Sequence, residues 1–234
     1  MILESKNLVK KFGTKTAVNN ITLDLEVGHV YALLGPNGSG KTTWMKLAAG
    51  LSKPTSGEVL FDGKPVGVES RASIAYVSTE PFFYSWMKIR DAGKYYEDFF
   101  KDFDRQDYEN LIKSMGMSLD SKISSLSSGM TAKMKVALTM ARKAKVWMLD
   151  EPFNGIDLLA RDDIRDCILS RCGKDNLLLL SSHLVEEMEA IADMAVFIKE
   201  GNLIEVRDLK EMREKDGVTM ADRYRVIYGH VEVM

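Results

Sequence analysis

Apolar residues recur at every second position from Ile21 through Leu23 and Leu25 to Val27. A period of two predicts a half-buried strand, because successive strand side chains point to opposite faces. The stretch KNLVKKF, residues 6–12, carries a similar β pattern. VYALLG, residues 30–35, is instead a continuous apolar run closed by glycine, which fits a parallel strand covered on both faces. A helix then ends at Gly50, a Pro-Thr-Ser-Gly turn leads into EVLFDG, and SIAYVS forms a further short strand.

The period changes after Asp91. Ala92, Tyr95, Tyr96, Phe99, Phe100 and Phe103 follow i, i+3, i+4, i+7, i+8, i+11, the stripe of an amphipathic helix. Tyr108, Leu111, Ile112 and Met115 predict a second, shorter helix, and a third runs to about Lys143. Buried-strand runs return in KVWMLDEP and NLLLLSSH, with a helix from about Leu158 to Arg171 between them. MAVFIKEG and LIEVRD predict a hairpin around Gly201-Asn202. The tail from Leu209 reads as a short charged helix followed by a strand-like YRVIYG. Strands alternating with helices predict an α/β fold with a mostly parallel sheet and an antiparallel β portion near the N-terminus. Residues 1–84 and 145–234 would form its core, and 85–144 a helical insertion.

Composition narrows the function classes. The 234 residues carry a formal net charge of −2, with 45% apolar and 28% charged residues. These values fit an ordinary globular chain and give no electrostatic case for direct nucleic-acid binding. The N-terminus lacks an apolar stretch of signal-peptide length, and the run Leu177 to Leu180 is far too short to span a bilayer. A cytoplasmic location is therefore expected, with any membrane role exerted through a partner. Cys167 and Cys172, in one predicted helix, are expected to be reduced structural thiols. His29, His183 and His230 show no metal-ligand spacing.

Three stretches carry chemistry. In GPNGSGKTT, residues 35–43, Gly35 and Gly40 frame Lys41 and Thr42 in the phosphate-loop pattern, after a predicted strand and before a predicted helix. Glycines let backbone N–H groups turn inward around phosphates, and the helix N-terminus adds about half a positive charge. Lys41 supplies a full charge, and the Thr42 hydroxyl suits Mg2+ ligation. The strand VWMLDEP delivers Asp150 to the sheet edge where such folds bind ligands; Asp150 suits a direct or indirect Mg2+ role. Glu151 is then placed to orient or deprotonate a water. Beside this second stretch, the single residue His183 ends another buried strand at the same edge. The third stretch is SSLSSGMTAKMK, residues 124–135, which has more small residues than a helix cap requires.

With these elements in order, nearly the whole chain resembles the ATP-binding cassette (ABC) ATPases, the nucleotide-binding subunits of ABC transporters. The phosphate loop, LSSGM, WMLDEP and SSHLVEE occur in the family's order and spacing. The resemblance implies a phosphate-loop NTPase core in which Gly35, Pro36, Asn37, Gly38, Ser39, Gly40, Lys41, Thr42 and Thr43 hold ATP. It implies that Phe12 stacks on adenine and that Asp157 belongs to the loop linking two subunits. Ser127 and Gly129, in a stretch similar to the signature Leu-Ser-Gly-Gly-Gln, would grip the γ-phosphate of ATP on a partner chain. Thr79 stands where the family usually has a metal-touching Gln, and Ser128 and Met130 replace Gly and Gln. The shorter Thr79 would reach Mg2+ only through water.

The implied protein is an ATPase that pairs as a homodimer or heterodimer and powers a separate membrane permease on the cytoplasmic face, as an exporter subunit. Two other readings compete: a cassette protein acting on ribosomes or DNA, and a subunit that binds ATP but hydrolyses it poorly. The aromatic loop EPFFYSWMKIRD, residues 80–91, fits either a docking groove for a short permease helix or packing of the insertion on the core.

Overall fold

The early alternation produces two long antiparallel strands, β1 (Leu3–Phe12) and β2 (Lys15–Leu25), with Leu3, Leu8, Ile21, Leu23 and Leu25 buried. The computed structural model of the chain describes residues 1–78, 80 and 82–229. The alternation reaches Val27 in sequence, yet the strand stops at Leu25 and Val27 is exposed. The chain turns at Gly28, where φ is 84° and a Cβ would stand 3.2 Å from the Lys174 carbonyl oxygen. Strands β4 (Ser56–Phe61) and β5 (Lys64–Pro65) complete an antiparallel sheet in the order β2-β1-β4-β5.

The second sheet contains β3 (Val30–Leu34), β6 (Ile74–Val77), β7 (Val146–Asp150), β8 (Leu177–Ser182), β9 (Met194–Lys199) and β10 (Asn202–Asp208). Its order is β10-β9-β3-β8-β7-β6, and every pairing is parallel except that of the β9–β10 hairpin. Every residue of β3, β7 and β8 is buried, as the continuous apolar runs require. Helix α1 (Lys41–Ala48) contributes Trp44 and Met45 to the core that joins the two sheets. The short α2 (Val68–Arg71) precedes β6.

Between β6 and β7 run α3 (Ile89–Phe99), α4 (Arg105–Ser114) and α5 (Ser128–Met140). Together with α6 (Leu158–Leu169) they build a second core on the parallel sheet, around Tyr108, Met134, Phe153 and Ile164. The helix expected from Asp91 to Phe103 begins two residues earlier, where the Lys88 N–H donates to Asp91 (2.8 Å). It ends at Phe99; Phe100 is extended and Phe103 pairs with Arg142. Only part of the predicted stripe is covered: Ala92 and Tyr96 are buried, whereas Tyr95 and Phe99 lie open. The third and fourth helices end at Met140 and Leu169, short of Lys143 and Arg171.

The tail departs most from expectation. After α7 (Val185–Glu189) and α8 (Leu209–Asp216), YRVIYG belongs to a helix, α9 (Met220–Tyr228), and not to a strand. Thr219 and Asp222 cap it reciprocally, and Met220, Tyr224, Ile227 and Tyr228 share the side packed on the core. A short window starting at Tyr224 hid both the cap and the longer period. Cys167 lies in α6, but Cys172 falls beyond its end; burial pushes both unpaired thiols up to about 11. Among the described residues, no helix is long and apolar enough to cross a membrane.

Candidate active site

The buried strand β3 hands the chain to the glycine loop at its C-terminal end. A Cβ on Gly35 would stand 2.4 Å from the Ile198 carbonyl oxygen. Gly40 has φ 110°, and a Cβ there would meet the Ala17 carbonyl oxygen at 2.4 Å. These contacts exclude any side chain and let the loop wrap tightly into α1. No side chain caps that helix, so its first-turn N–H groups are left for an anion. Lys41 is buried. Its Nζ donates to the Gly35 and Pro36 carbonyls (2.6 and 3.3 Å) and pairs with Glu151 Oε1 at 3.2 Å.

Asp150, at the end of β7, is almost fully buried and accepts hydrogen bonds from three hydroxyls. Thr42 and Ser181 donate to Oδ1 at 3.1 and 2.6 Å, and Tyr76 donates to Oδ2 at 3.1 Å. Burial, then the Asp150 charge, pushes the Tyr76 phenol far up, so it stays a donor. The next residue, Glu151, has φ 50°, a left-handed conformation that costs a non-glycine residue about 1–2 kcal/mol. Its N–H donates to Ser181 Oγ at 2.9 Å, which holds the turn. Glu151 Oε2 lies 2.9 Å from His183 Nδ1. The fold therefore unites Lys41, Thr42, Asp150, Glu151 and His183.

Tyr76 and Ser181 were not anticipated from the sequence. The signal was slight: Ser181 ends a leucine run, and only the β7–β8 register sets it opposite Asp150. A cavity of about 420 Å3 opens over the loop, lined by Phe12, Lys15, Asn37 to Thr43, Glu151 and Asn154. Phe12 is more than half exposed at its wall, with Lys10 Nζ 5.0 Å from the ring centre. The Ser39 hydroxyl in the same wall is buried without a hydrogen-bond partner among the described residues.

The remaining candidates lie elsewhere. Ser127, Gly129 and Asp157 do not line this cavity. Ser127 is the N-cap of α5, accepting from the Met130 N–H at 3.2 Å. Gly129 packs on the start of α6, where a Cβ would come within 2.9 Å of Ala160 Cβ and 3.1 Å of Asp157 Oδ2. Asp157 caps α6, and the Ala160 N–H holds its carboxyl below the usual range. The Ser128 hydroxyl donates to the Gly155 carbonyl at 3.0 Å. The excess of small residues thus serves a cap, a close helix contact and a tie from the start of α5 to the loop before α6. Thr79 lies outside the described residues. Its neighbour Glu80 pairs with Lys46 on α1 at 3.1 Å.

Another unanticipated residue is Lys135. It is buried on α5, and its Nζ donates to the Ser78 and Glu80 carbonyls at 3.0 and 2.8 Å. Burial lowers its pKa. The aromatic loop splits between its two readings: Met87 is buried and Phe83 half-buried against the core, while Phe82, Tyr84 and Trp86 are exposed. Tyr84 and Trp86 stack 5.9 Å apart.

The family model described as "ABC transporter" matches residues 18–154, from β2 through the acidic strand end. The chain belongs to the ABC transporter family. It is an ATP-binding subunit that hydrolyses ATP, on the α/β fold expected from its sequence. Over 205 residues it is 32% identical to the lantibiotic transport ATP-binding protein SrtF of Streptococcus pyogenes, covering 87% of this chain and 89% of that one. It is 29% identical over 222 residues to the bacitracin transport ATP-binding protein BcrA of Enterococcus faecalis, covering 92% and 72% respectively. A solved ATP-binding subunit of an ABC transporter superposes with a TM-score of 0.84 at 24% identity, covering 97% of this chain and 99% of that one. A dimeric ATP-binding cassette in a post-hydrolysis state with ADP and Pi gives a TM-score of 0.78 at 19% identity, covering 89% and 99%.

Proposed function

We propose that this ABC ATPase binds ATP with Mg2+ in the cavity over residues 35–43 and uses its hydrolysis to drive export through a separate membrane permease. The observation that carries this reading is Glu151, which lines the cavity 3.2 Å from Lys41 and reaches back to His183 at 2.9 Å. The loop N–H groups and Lys41 bind the phosphates, and Phe12 supports adenine. Glu151 orients a water and takes its proton, and His183 holds the carboxylate in place.

Mg2+ fits the hydroxyl-and-carboxylate oxygens of Thr42 and Asp150, a hard donor set. No group of three or more His, Cys, Asp or Glu side chains that could hold a metal occurs among the described residues. Such a site suits an ion that also relies on phosphate and water oxygens. When bound, Mg2+ neutralises charge on the transferred phosphoryl group.

Ser127 and Gly129 complete a site on a second chain. Ser127 Oγ already accepts from Met130, so its own hydrogen remains to be donated to a phosphate oxygen. Asp157, beside Gly129, links that contact to the partner subunit. Residues 85–144 act as the signature-bearing subdomain, and the exposed aromatics Phe82, Tyr84, Trp86, Tyr95 and Phe99 receive the permease at the cytoplasmic face. The lantibiotic and bacitracin transport names of the relatives support a peptide-antibiotic type of cargo.

The test is ATP hydrolysis by the chain co-expressed with its permease, compared with Lys41→Ala and Glu151→Gln. Both variants should lose hydrolysis, and Glu151→Gln should accumulate as a dimer in saturating Mg-ATP. A monomeric Glu151→Gln protein under those conditions, or undiminished hydrolysis, overturns the reading.

A further inference from the structure

Helix α9 ends against the base of the phosphate loop. The Tyr228 hydroxyl lies 3.0 Å from the Leu34 carbonyl oxygen and 2.9 Å from that of Ile198. Leu34 is the last residue of β3, and the β3–β9 ladder ends where it faces Phe197. A single phenolic hydrogen therefore sits between two acceptors at the end of that ladder. The Ile198 carbonyl is the same group that excludes a Cβ at Gly35. Tyr228, the Ile198 carbonyl and Gly35 thus form one continuous stack under the loop. On the loop's other side, Lys41 Nζ donates to the Gly35 carbonyl at 2.6 Å.

Tyr228 is itself held. Its ring lies 4.4 Å from Tyr224 and 6.5 Å from Phe197, and Lys199 Nζ donates to the Ile227 carbonyl at 2.8 Å. Tyr224 and Arg225 share a hollow of about 360 Å3 with His183 and the start of α7. Burial, and then the charge of Glu151, raises the Tyr224 phenol. One face of α9 therefore reaches both the glycine loop and the segment that carries His183.

We propose that Tyr228 is a positioning residue for nucleotide binding: its hydroxyl fixes the Leu34 and Ile198 carbonyls beside Gly35, so that α9 holds the phosphate loop in its nucleotide-accepting shape. This rests on residues 35–43 being the nucleotide loop. A glycine-rich loop loses more conformational freedom on ordering than other backbone does, and bracing it beforehand improves affinity without a new ligand contact. Tyr228 would touch neither ATP nor the attacking water, so its effect belongs in binding and not in turnover.

Tyr228→Phe removes the hydroxyl and keeps the ring. The dissociation constant for ATP, measured with EDTA present, should rise about three- to tenfold, the worth of one neutral hydrogen bond. With permease present, KM should rise by a similar factor while kcat stays within about twofold. Amide hydrogen exchange should quicken over residues 34–43 without quickening in α3 to α5. Unchanged affinity, or a lowered Tm with unchanged affinity and exchange, overturns the proposal and leaves Tyr228 a packing residue. If the variant is too unstable to titrate, exchange of the folded protein at low temperature decides the matter, and uniform quickening counts against the proposal. Lys41→Ala separates the premises: if it binds ATP normally, the loop assignment fails and the proposal falls with it, whereas loss of ATP binding by Lys41→Ala with unchanged affinity in Tyr228→Phe overturns the role of Tyr228 alone.

Discussion

Replacing Glu151 with Gln asks whether Lys41 must leave one anion to meet another. Lys41 Nζ and Glu151 Oε1 are 3.2 Å apart, and each side chain is at most one-tenth exposed, so solvent screens the pair weakly. Two unit charges at that distance attract by about 5 kcal/mol at an effective dielectric constant of about 20. Glutamine has the same shape and can keep an oxygen toward Lys41 and an NH2 toward His183, but it carries no charge. Lys41 retains the Gly35 and Pro36 carbonyls in either protein. The neutral amide recovers part of the attraction, so roughly 2 kcal/mol is what ATP no longer has to overcome, or about thirtyfold in affinity. Removing carboxylate repulsion toward the phosphates acts with the same sign. Calorimetric titration of dilute protein, with EDTA present so that neither form turns over, should therefore show about thirtyfold tighter ATP binding by Glu151→Gln. Without nucleotide the variant should melt lower than the wild type, and saturating ATP should raise its Tm further. Equal or weaker binding would refute the idea that this ion pair opposes nucleotide entry.

Three further outcomes follow from named contacts. Phe12→Ala should weaken ATP binding by about tenfold, because one aromatic–base stack is worth roughly 1–3 kcal/mol, and Phe12→Trp should restore it; a fluorescent ATP analogue reads both. Lys135→Met keeps the length of the side chain but removes the donor to Ser78 and Glu80. It also removes a buried charge, so Tm should move little while amide exchange around residues 76–83 rises several-fold. Cys167 is buried, and its thiol, raised to about 11, should carry about a hundredfold less thiolate at pH 7.5 than an exposed cysteine. Alkylation of Cys167 should be correspondingly slow until urea unfolds the chain, and rapid labelling of that residue in the native protein contradicts its burial.

The proximity of the proposed catalytic residues was legible because each is fixed by a local rule. Lys41 and Thr42 follow a glycine loop after a buried strand, and Asp150 and His183 end or follow buried strands at the same sheet edge. A parallel sheet brings such strand ends together, so proximity follows from strand pattern alone. Tyr76 and Ser181 join them for the same reason, as partners of Asp150 near the ends of neighbouring strands. The signature stretch was less legible. Ser127 caps its helix as any Ser would, whereas the need for Gly129 arises from Ala160 and Asp157, about 30 residues away in the chain.

The sequence by itself determined the two strand patterns, the phosphate loop, the paired acids and the family. These are readable because strand period, glycine placement and helix entry act within a few residues. Only the tertiary structure decided the rest. YRVIYG is helical because Thr219 and Asp222 start a helix whose apolar side is covered by the core, not because of its own β propensity. Aromatic residues that look alike in sequence divide into Phe83, half-buried against the core, and the exposed Tyr84 and Trp86, since exposure depends on which distant element covers each one. Lys135 and Tyr228 carry no local mark at all. Each acts on backbone carbonyls far along the chain, and a carbonyl has the same chemistry whatever its side chain, so no residue type announces the contact.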